Sequence, residues 1–153
     1  MLDLHLQMFD PEAMIQAIRD EMVQMGFREL RTPEEVEEAF RNAAGSSLVF
    51  VNSVCGCAGG IARPAVRYAL EKGLVKPDHL FTVFAGQDKE ATARARELFG
   101  DYPPSSPSIA LLRDGQCVAM IHRSDIEGRE PLAVVGRLQE LWQQHFGAPV
   151  DQG

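Results

Sequence analysis

The chain has 153 residues, 45% of them hydrophobic, and a formal net charge of −7 from 15 basic and 22 acidic residues. This length predicts a single globular domain whose core needs no metal or disulfide. The acidic balance argues against nucleic acid or an anionic membrane as a main partner, and no apolar run is long enough to span a bilayer. Three cysteines and a first segment without a signal-peptide pattern lead us to expect a cytoplasmic protein without a structural disulfide framework.

The first 45 residues predict two helices. Asp10-Pro11-Glu12 is a helix start, after which apolar residues recur at helical spacing until Gly26: Met14, Ile15, Ile18, Met22 and Met25. Thr32 and Glu35 have the spacing of a capping box and begin a second helix that Gly45 ends. Its predicted apolar face consists of Val36, Ala39, Phe40 and Ala43.

Strands and helices alternate in the middle of the chain. Continuous apolar runs at 48–51 and 80–84 predict two buried parallel strands. We expect a helix after each strand, over 61–72 and over 89–99. Pro64 lies near the start of the first of these helices, so that helix is expected to start late or to kink.

The last third of the chain predicts a hairpin followed by a helix. Asp114-Gly115 separates apolar runs at 109–112 and 117–121, which is a strong hairpin signal. Pro131 opens a final helix with one predicted apolar face: Leu132, Val135, Leu138, Trp142 and Phe146.

This order of elements predicts an α/β protein with a four-stranded mixed sheet and helices on both faces. With cysteines at the first strand-to-helix turn, it is the arrangement of the thioredoxin-like fold. We expect one thioredoxin-like domain over 1–153, in which 46–147 form the redox core and 1–45 form an extension of two extra helices.

Cys55 and Cys57 are the candidate catalytic residues. They follow a predicted buried strand and precede a helix, where free amides and the helix dipole lower a thiol pKa from about 8.5 towards neutrality. Gly56 has no Cβ to obstruct the tight turn that brings the two sulfurs together. A disulfide across so short a loop is expected to be strained and therefore labile, as a catalytic bond is.

Pro107 is the candidate supporting residue. It lies two residues before the first strand of the predicted hairpin. In thioredoxin-like proteins a proline at this place follows a cis peptide bond beside the cysteine pair, and cis costs only about 0.5–1 kcal/mol before proline. We therefore expect the Ser106–Pro107 bond to be cis.

Several motifs together resemble the bacilliredoxins, over nearly the whole chain. They are the segments 51–58 (VNSVCGCA), 62–65 (ARPA), 83–92 (VFAGQDKEAT), 105–108 (SSPS) and 126–128 (IEG). The resemblance implies a thioredoxin-like protein that removes bacillithiol from mixed disulfides on cytosolic proteins, an activity with which disulfide isomerisation is associated. It carries over Cys55 as the attacking thiol and Cys57 as its partner. Some members have a further cysteine at the C-terminus, which this chain lacks.

The resemblance also sets the expected partners. No tightly bound cofactor is implied, because bacillithiol is a co-substrate. The expected partners are S-bacillithiolated client proteins, bacillithiol itself and the system that reduces it.

Two alternative functions use the same loop. Cys57 and Arg63 satisfy Cys-x5-Arg, the phosphate-binding pattern of cysteine phosphatases and some arsenate reductases, although Pro64 replaces the usual Ser or Thr. Alternatively, Cys55 and Cys57 bind a soft metal such as Zn²⁺ or Cu⁺. Further ligands for zinc would have to come from residues distant in sequence: Cys117, His5, His79, His122 and His145.

Cys117 lies in an apolar predicted strand without a basic neighbour. We expect it to be a packing residue and not a redox thiol.

Overall fold

The computed structural model describes residues 10–54 and 56–147, apart from the side chain of Cys57. Its elements are, in chain order, α1 (Pro11–Gln24), β1 (Arg28–Glu29), α2 (Pro33–Asn42), β2 (Ser46–Asn52), α3 (Gly56–Glu71), β3 (His79–Phe84), α4 (Lys89–Phe99), β4 (Ser108–Arg113), β5 (Gln116–Ile121), a 3₁₀ turn (Arg123–Asp125) and α5 (Pro131–Phe146). Within the described ranges, no helix is long and apolar enough to cross a membrane.

The elements form a mixed sheet of five strands in the order β1-β3-β2-β4-β5. Strands β1, β3 and β2 are mutually parallel, and β4 and β5 are antiparallel to their neighbours. The prediction of a four-stranded sheet is therefore wrong, because the sheet has one strand more. Edge strand β1 was missed because it has only two residues, both charged, so that no alternation of apolar residues marks it.

Residues 10–45 form more than the two helices that the sequence predicts, because they also contribute a strand and core residues. Their strand β1 pairs with β3 through Arg28↔Phe81 and Glu29↔Thr82. Met22 and Phe27 pack into the core on the face of the sheet that carries α3 and α5. The core on the other face, beneath α2 and α4, contains residues of the same segment: Leu30, Val36, Ala39, Phe40 and Ala43. Both faces of the sheet are thus covered by helices.

The apolar helix faces agree with the sequence except at two exposed residues. All four residues of the predicted α2 face are buried. Met14 of α1 is 46% exposed, however, and Leu132 of α5 is 65% exposed. Both lie in the first turns of their helices, ahead of the positions that reach the core. The buried positions of α5 are instead Val134, Val135, Leu138, Leu141 and Trp142.

Helix α3 begins five residues earlier than predicted. It starts at Gly56, so Pro64 lies inside the helix and does not delay its start. Proline cannot donate the hydrogen bond that the carbonyl of Gly60 would accept. Gly60 is exposed, so solvent can satisfy this carbonyl and the helix continues through the proline.

Candidate active site

The Cys-Gly-Cys motif joins the central strand of the sheet to helix α3. Strand β2 lies between β3 and β4, is buried along its whole length and ends at Asn52. Helix α3 begins at Gly56, so the backbone of Cys57 belongs to its first turn. The first amides of a helix have no intrahelical acceptor and favour a nearby anion such as a thiolate. Cys55 and the side chain of Cys57 lie outside the described residues.

Arg63 ties the end of β2 to α3. Its Nη1 donates to Oδ1 of Asn52 at 3.0 Å and to the carbonyl of Ser53 at 3.2 Å. Oδ1 of Asn52 also accepts from the amide of Ser53 at 2.9 Å, and Asn52 is 1% exposed. The two residues that leave β2 are therefore hydrogen-bonded to a side chain from the second turn of the helix that carries Cys57.

Helix α1 supplies the counter-charge to Arg63. Oε1 of Glu21 lies 3.3 Å from Nε of Arg63, whose side chain is 12% exposed. The other oxygen of Glu21 lies 3.7 Å from Nη2 of Arg67, one turn further along α3. The N-terminal segment thus contributes directly to the arrangement around the motif.

The Ser106–Pro107 peptide bond is cis, as expected from the sequence. Strands β2 and β4 pair through Val51↔Ser108, so buried Pro107 lies level with Asn52, three residues before Cys55. The structure therefore brings the proline loop to the same end of the sheet as the Cys-Gly-Cys motif.

Side chains from neighbouring elements hold the proline loop. The carbonyl of Ser105 accepts from Nη2 of Arg96 at 3.3 Å, and its hydroxyl accepts from the amide of Arg123 at 3.1 Å. Nη1 of Arg123 also donates to the carbonyl of Ser106 at 3.4 Å. These contacts fix the backbone that leads into Pro107.

The structure shows no steric reason for a glycine at position 56. It is helical, it is exposed, and a Cβ there would contact nothing within 4 Å beyond its chain neighbours. The tight turn that we inferred from the sequence is instead the first turn of α3. Gly59 has the closer contact, since a Cβ there would lie 2.9 Å from Nη1 of Arg63.

Cys117 lies at the opposite end of the sheet and is a packing residue. It pairs with Leu112, which in turn lies opposite Ser47 near the start of β2. Burial raises the pKa of the Cys117 thiol to about 11, and its Sγ donates to the carbonyl of Ala119 at 3.5 Å. A thiol with this pKa is almost fully protonated at neutral pH and is a poor nucleophile.

The backbone geometry does not support the Cys-x5-Arg phosphatase alternative. A phosphate cradle needs a loop whose amides turn inward around the anion. Here residues 57–63 are helical, and Arg63 is engaged by Asn52, Ser53 and Glu21.

Within the part of the chain that the structure describes, no three His, Cys, Asp or Glu side chains cluster as metal ligands. Nε2 of His79 donates a hydrogen bond to the carbonyl of Ala44 at 3.0 Å. Because Cys55 and the Cys57 side chain are outside the described residues, metal binding by this pair stays an alternative.

Sequence reasoning missed the residues that surround the motif. Asn52 and Arg63 belong to the motifs that carry the family resemblance, but the only role that the sequence suggested for Arg63 was as a phosphate ligand, and it suggested none for Asn52 or Glu21. A cation in an otherwise apolar helix start was the available signal, but its partners lie up to 42 residues away in sequence (63 minus 21). No local pattern identifies such partners.

Comparison with known proteins agrees with these observations. Residues 10–146 match the family model described as disulphide isomerase. A bacilliredoxin of Symbiobacterium thermophilum is 61% identical over 146 residues, which are 95% of this chain and 100% of that protein. A bacilliredoxin of Geobacillus kaustophilus is 62% identical over 131 residues, covering 86% of this chain and 89% of that protein.

Similar solved structures include thioredoxins. Thioredoxin of Fasciola hepatica has a TM-score of 0.54 at 21% identity, covering 78% of this chain and 99% of its own. Thioredoxin f2 of Chlamydomonas reinhardtii has a TM-score of 0.53 at 16% identity, covering 80% and 99%. These likenesses establish the thioredoxin-like fold, and the curated relatives establish the family. The chain belongs to the bacilliredoxin family and is a thioredoxin-fold oxidoreductase.

Proposed function

We propose that this protein is a thiol–disulfide oxidoreductase that removes bacillithiol from mixed disulfides on cytoplasmic proteins. The observation that carries the proposal is the position of the Cys-Gly-Cys motif, directly after the central strand and at the first turn of α3. A thiolate is favoured at such a position, and disulfide exchange requires a thiolate. Membership of the bacilliredoxin family supports bacillithiol as the thiol that is exchanged.

In the proposed reaction the Cys55 thiolate attacks the bacillithiol sulfur of the mixed disulfide. The client thiolate leaves and takes up a proton, and Cys55 then carries bacillithiol in a new disulfide. Either a second bacillithiol attacks this adduct and leaves as bacillithiol disulfide, or Cys57 displaces bacillithiol and forms a Cys55–Cys57 disulfide. In both routes one disulfide is consumed and one is formed. The first route frees the dithiol and leaves bacillithiol disulfide for the reducing system of bacillithiol. In the second route the Cys55–Cys57 disulfide itself must be reduced before the next turnover.

The proline loop has a role in this proposal as a client-binding element. It lies level with Asn52 in the register of β2 and β4, and its carbonyls are held by Arg96 and Arg123. An extended client segment would hydrogen-bond to backbone groups of this loop while its disulfide faces the dithiol. Disulfide isomerisation would use the same attack by Cys55, and the description of the matching family model favours it as a second activity.

The test uses a bacillithiolated client, each cysteine variant and mass spectrometry. We expect Cys55→Ser to abolish client release, because a hydroxyl supplies no thiolate-like nucleophile at neutral pH. Cys57→Ala should still release the client for one turnover and accumulate bacillithiol on Cys55. Full activity of Cys55→Ser, or an adduct only on another cysteine, would refute the proposal. Metal analysis of the reduced protein tests the metal-binding alternative.

A further inference from the structure

The contacts of Arg63 give this residue a place in the redox reaction. Its guanidinium hydrogen-bonds to Asn52 and Ser53, the residues that lead from β2 to Cys55, and it packs over Gly59, in the turn of α3 that follows Cys57. We infer that Arg63 is a positioning residue of the dithiol, which clamps the segment before Cys55 to α3 and stabilises the attacking thiolate with its positive charge. This inference rests on the proposed function.

The chain geometry keeps the charge of Arg63 close to the motif. Ser53 precedes Cys55 by two residues, and two residues of extended chain span at most about 7 Å. Gly59 follows Cys57 by two residues within the helix. Nη1 of Arg63 lies 3.2 Å from the Ser53 carbonyl oxygen. The backbone of Cys55 therefore lies at most about 13 Å from this charge. This is comparable to the Debye length of about 8–10 Å at physiological salt, so the charge of Arg63 is only partly screened from the motif. A cation at this range favours the charged form of a thiol.

The charged groups that face Arg63 leave an excess of positive charge. Glu21 of α1 is the carboxylate that contacts it, and Arg67 of α3 shares that carboxylate. From the end of β2, Asn52 and Ser53 supply neutral acceptors. Among the residues that the structure describes, two guanidinium groups thus face one carboxylate. In this arrangement Asn52 and Ser53 hold the guanidinium of Arg63 in place. Glu21 partly neutralises its charge and so reduces its effect on the thiolate.

A second cluster of charged side chains lies beside Asn52, and its positive and negative charges balance. Arg19 and Asp88 line a small cavity together with Asn52. Arg19 pairs with Glu29 and Asp88, and Arg31 lies 3.7 Å from Asp88. Two cations therefore face two anions there, so this group adds no net charge to that of Arg63 beside the motif.

Arg67 provides a matched control for Arg63. Both arginines lie on α3 and both contact Glu21, but the side chain of Arg67 is 41% exposed whereas that of Arg63 is 12% exposed. Arg67→Gln therefore removes one positive charge from the same helix without removing the hydrogen bonds that Arg63 donates to Asn52 and Ser53.

The experiment measures the rate of alkylation of Cys55 by iodoacetamide between pH 5 and 9, read for each cysteine by peptide mass spectrometry. We expect Arg63→Gln to slow the reaction at neutral pH about three- to tenfold and to move the midpoint of the profile to higher pH. Arg67→Gln should stay within about twofold of the wild type, since its charge is more exposed. A wild-type profile for Arg63→Gln, or an equal shift in Arg67→Gln, would overturn the inference.

Glu21→Gln provides a second test of the inference in case Arg63→Gln does not fold. Removal of the counter-charge leaves Arg63 unneutralised, so the midpoint should move to lower pH and the reaction below the midpoint should become faster. A residue that only held the structure together would shift the profile upward or not at all. An upward shift or an unchanged profile in folded Glu21→Gln would contradict the inference. Failure of this inference can be distinguished from failure of the proposed function, because the proposed function is tested by the bacillithiol adduct on Cys55.

Discussion

Arg19 and Asp88 form a buried ion pair that joins α1 to the start of α4, with Nη1 2.9 Å from Oδ2 and Nη2 3.2 Å from Oδ1. The same guanidinium reaches Glu29 of β1 at 2.7 Å and lies 5.0 Å from the centre of the Phe84 ring. Burial lowers the pKa of Arg19, but the hydrogen bonds to Asp88 and Glu29 more than offset this, and its pKa is raised overall. Arg19 therefore stays charged and links three elements near the end of β2.

The first prediction concerns this ion pair. Asp88→Asn should lower the free energy of unfolding by about 3 kcal/mol, because it leaves a buried guanidinium only partly compensated. Glu97→Gln is the control, since Glu97 pairs with Arg94 but is 68% exposed, and its loss should have a much smaller effect on stability. Urea unfolding measures both variants. Equal effects would show that the Arg19–Asp88 pair does not stabilise the fold.

The second prediction concerns two adjacent glycines of α3. Gly59→Ala would place a Cβ 2.9 Å from Nη1 of Arg63, so the guanidinium must move away from Asn52. We expect Cys55 alkylation to slow in the same direction as in Arg63→Gln. Gly60→Ala is the control, because a Cβ at Gly60 contacts nothing within 4 Å and alanine favours a helix by about 0.5–1 kcal/mol. Identical rates in the two variants would argue against a coupling of Gly59 to Arg63.

The third prediction follows from the raised pKa of Cys117. The folded protein holds the Cys117 proton up to about pH 11, whereas an ordinary thiol has a pKa of about 8.5. Between these values the unfolded chain binds fewer protons than the folded chain, so stability should fall as the pH rises through this window. Cys117→Ala should lack this component of the fall, while its disulfide exchange stays at the wild-type rate. Denaturant unfolding from pH 8 to 11 compares the two proteins, and parallel curves would exclude the effect.

The fourth prediction concerns the turn of the β4–β5 hairpin. Asp114 and Gly115 have φ values of 51° and 82°, as a two-residue hairpin turn requires. A Cβ at Gly115 would also clash with the carbonyl oxygen of Phe40, so Gly115→Ala should cost about 1–3 kcal/mol. Gly136→Ala in α5 should instead stabilise the protein by about 0.5–1 kcal/mol, since it is helical, exposed and surrounded by open space. Thermal unfolding should move in opposite directions for the two variants.

The amino-acid sequence by itself determined the features that depend on neighbouring residues. The apolar runs of β2 and β3, the Asp114-Gly115 turn and the bounds of α4 at 89–99 are all encoded locally, so their positions were predicted correctly. The position of the Cys-Gly-Cys motif between a strand and a helix follows from the same local signals. Recognition of the family also needed only short motifs in chain order.

Tertiary structure alone decided the features that depend on distant residues. Asp88 illustrates this. It directly precedes α4, where an aspartate side chain commonly caps a helix. Its side chain makes no cap hydrogen bond, however, and pairs with Arg19, 69 residues away. Edge strand β1 exists only because β3 offers it a partner, and the role of Arg63 depends on acceptors from β2 and a carboxylate from α1. A charged side chain that becomes buried must pair with a group that the folded chain brings close to it. The spacing of residues along the chain does not indicate which group that is.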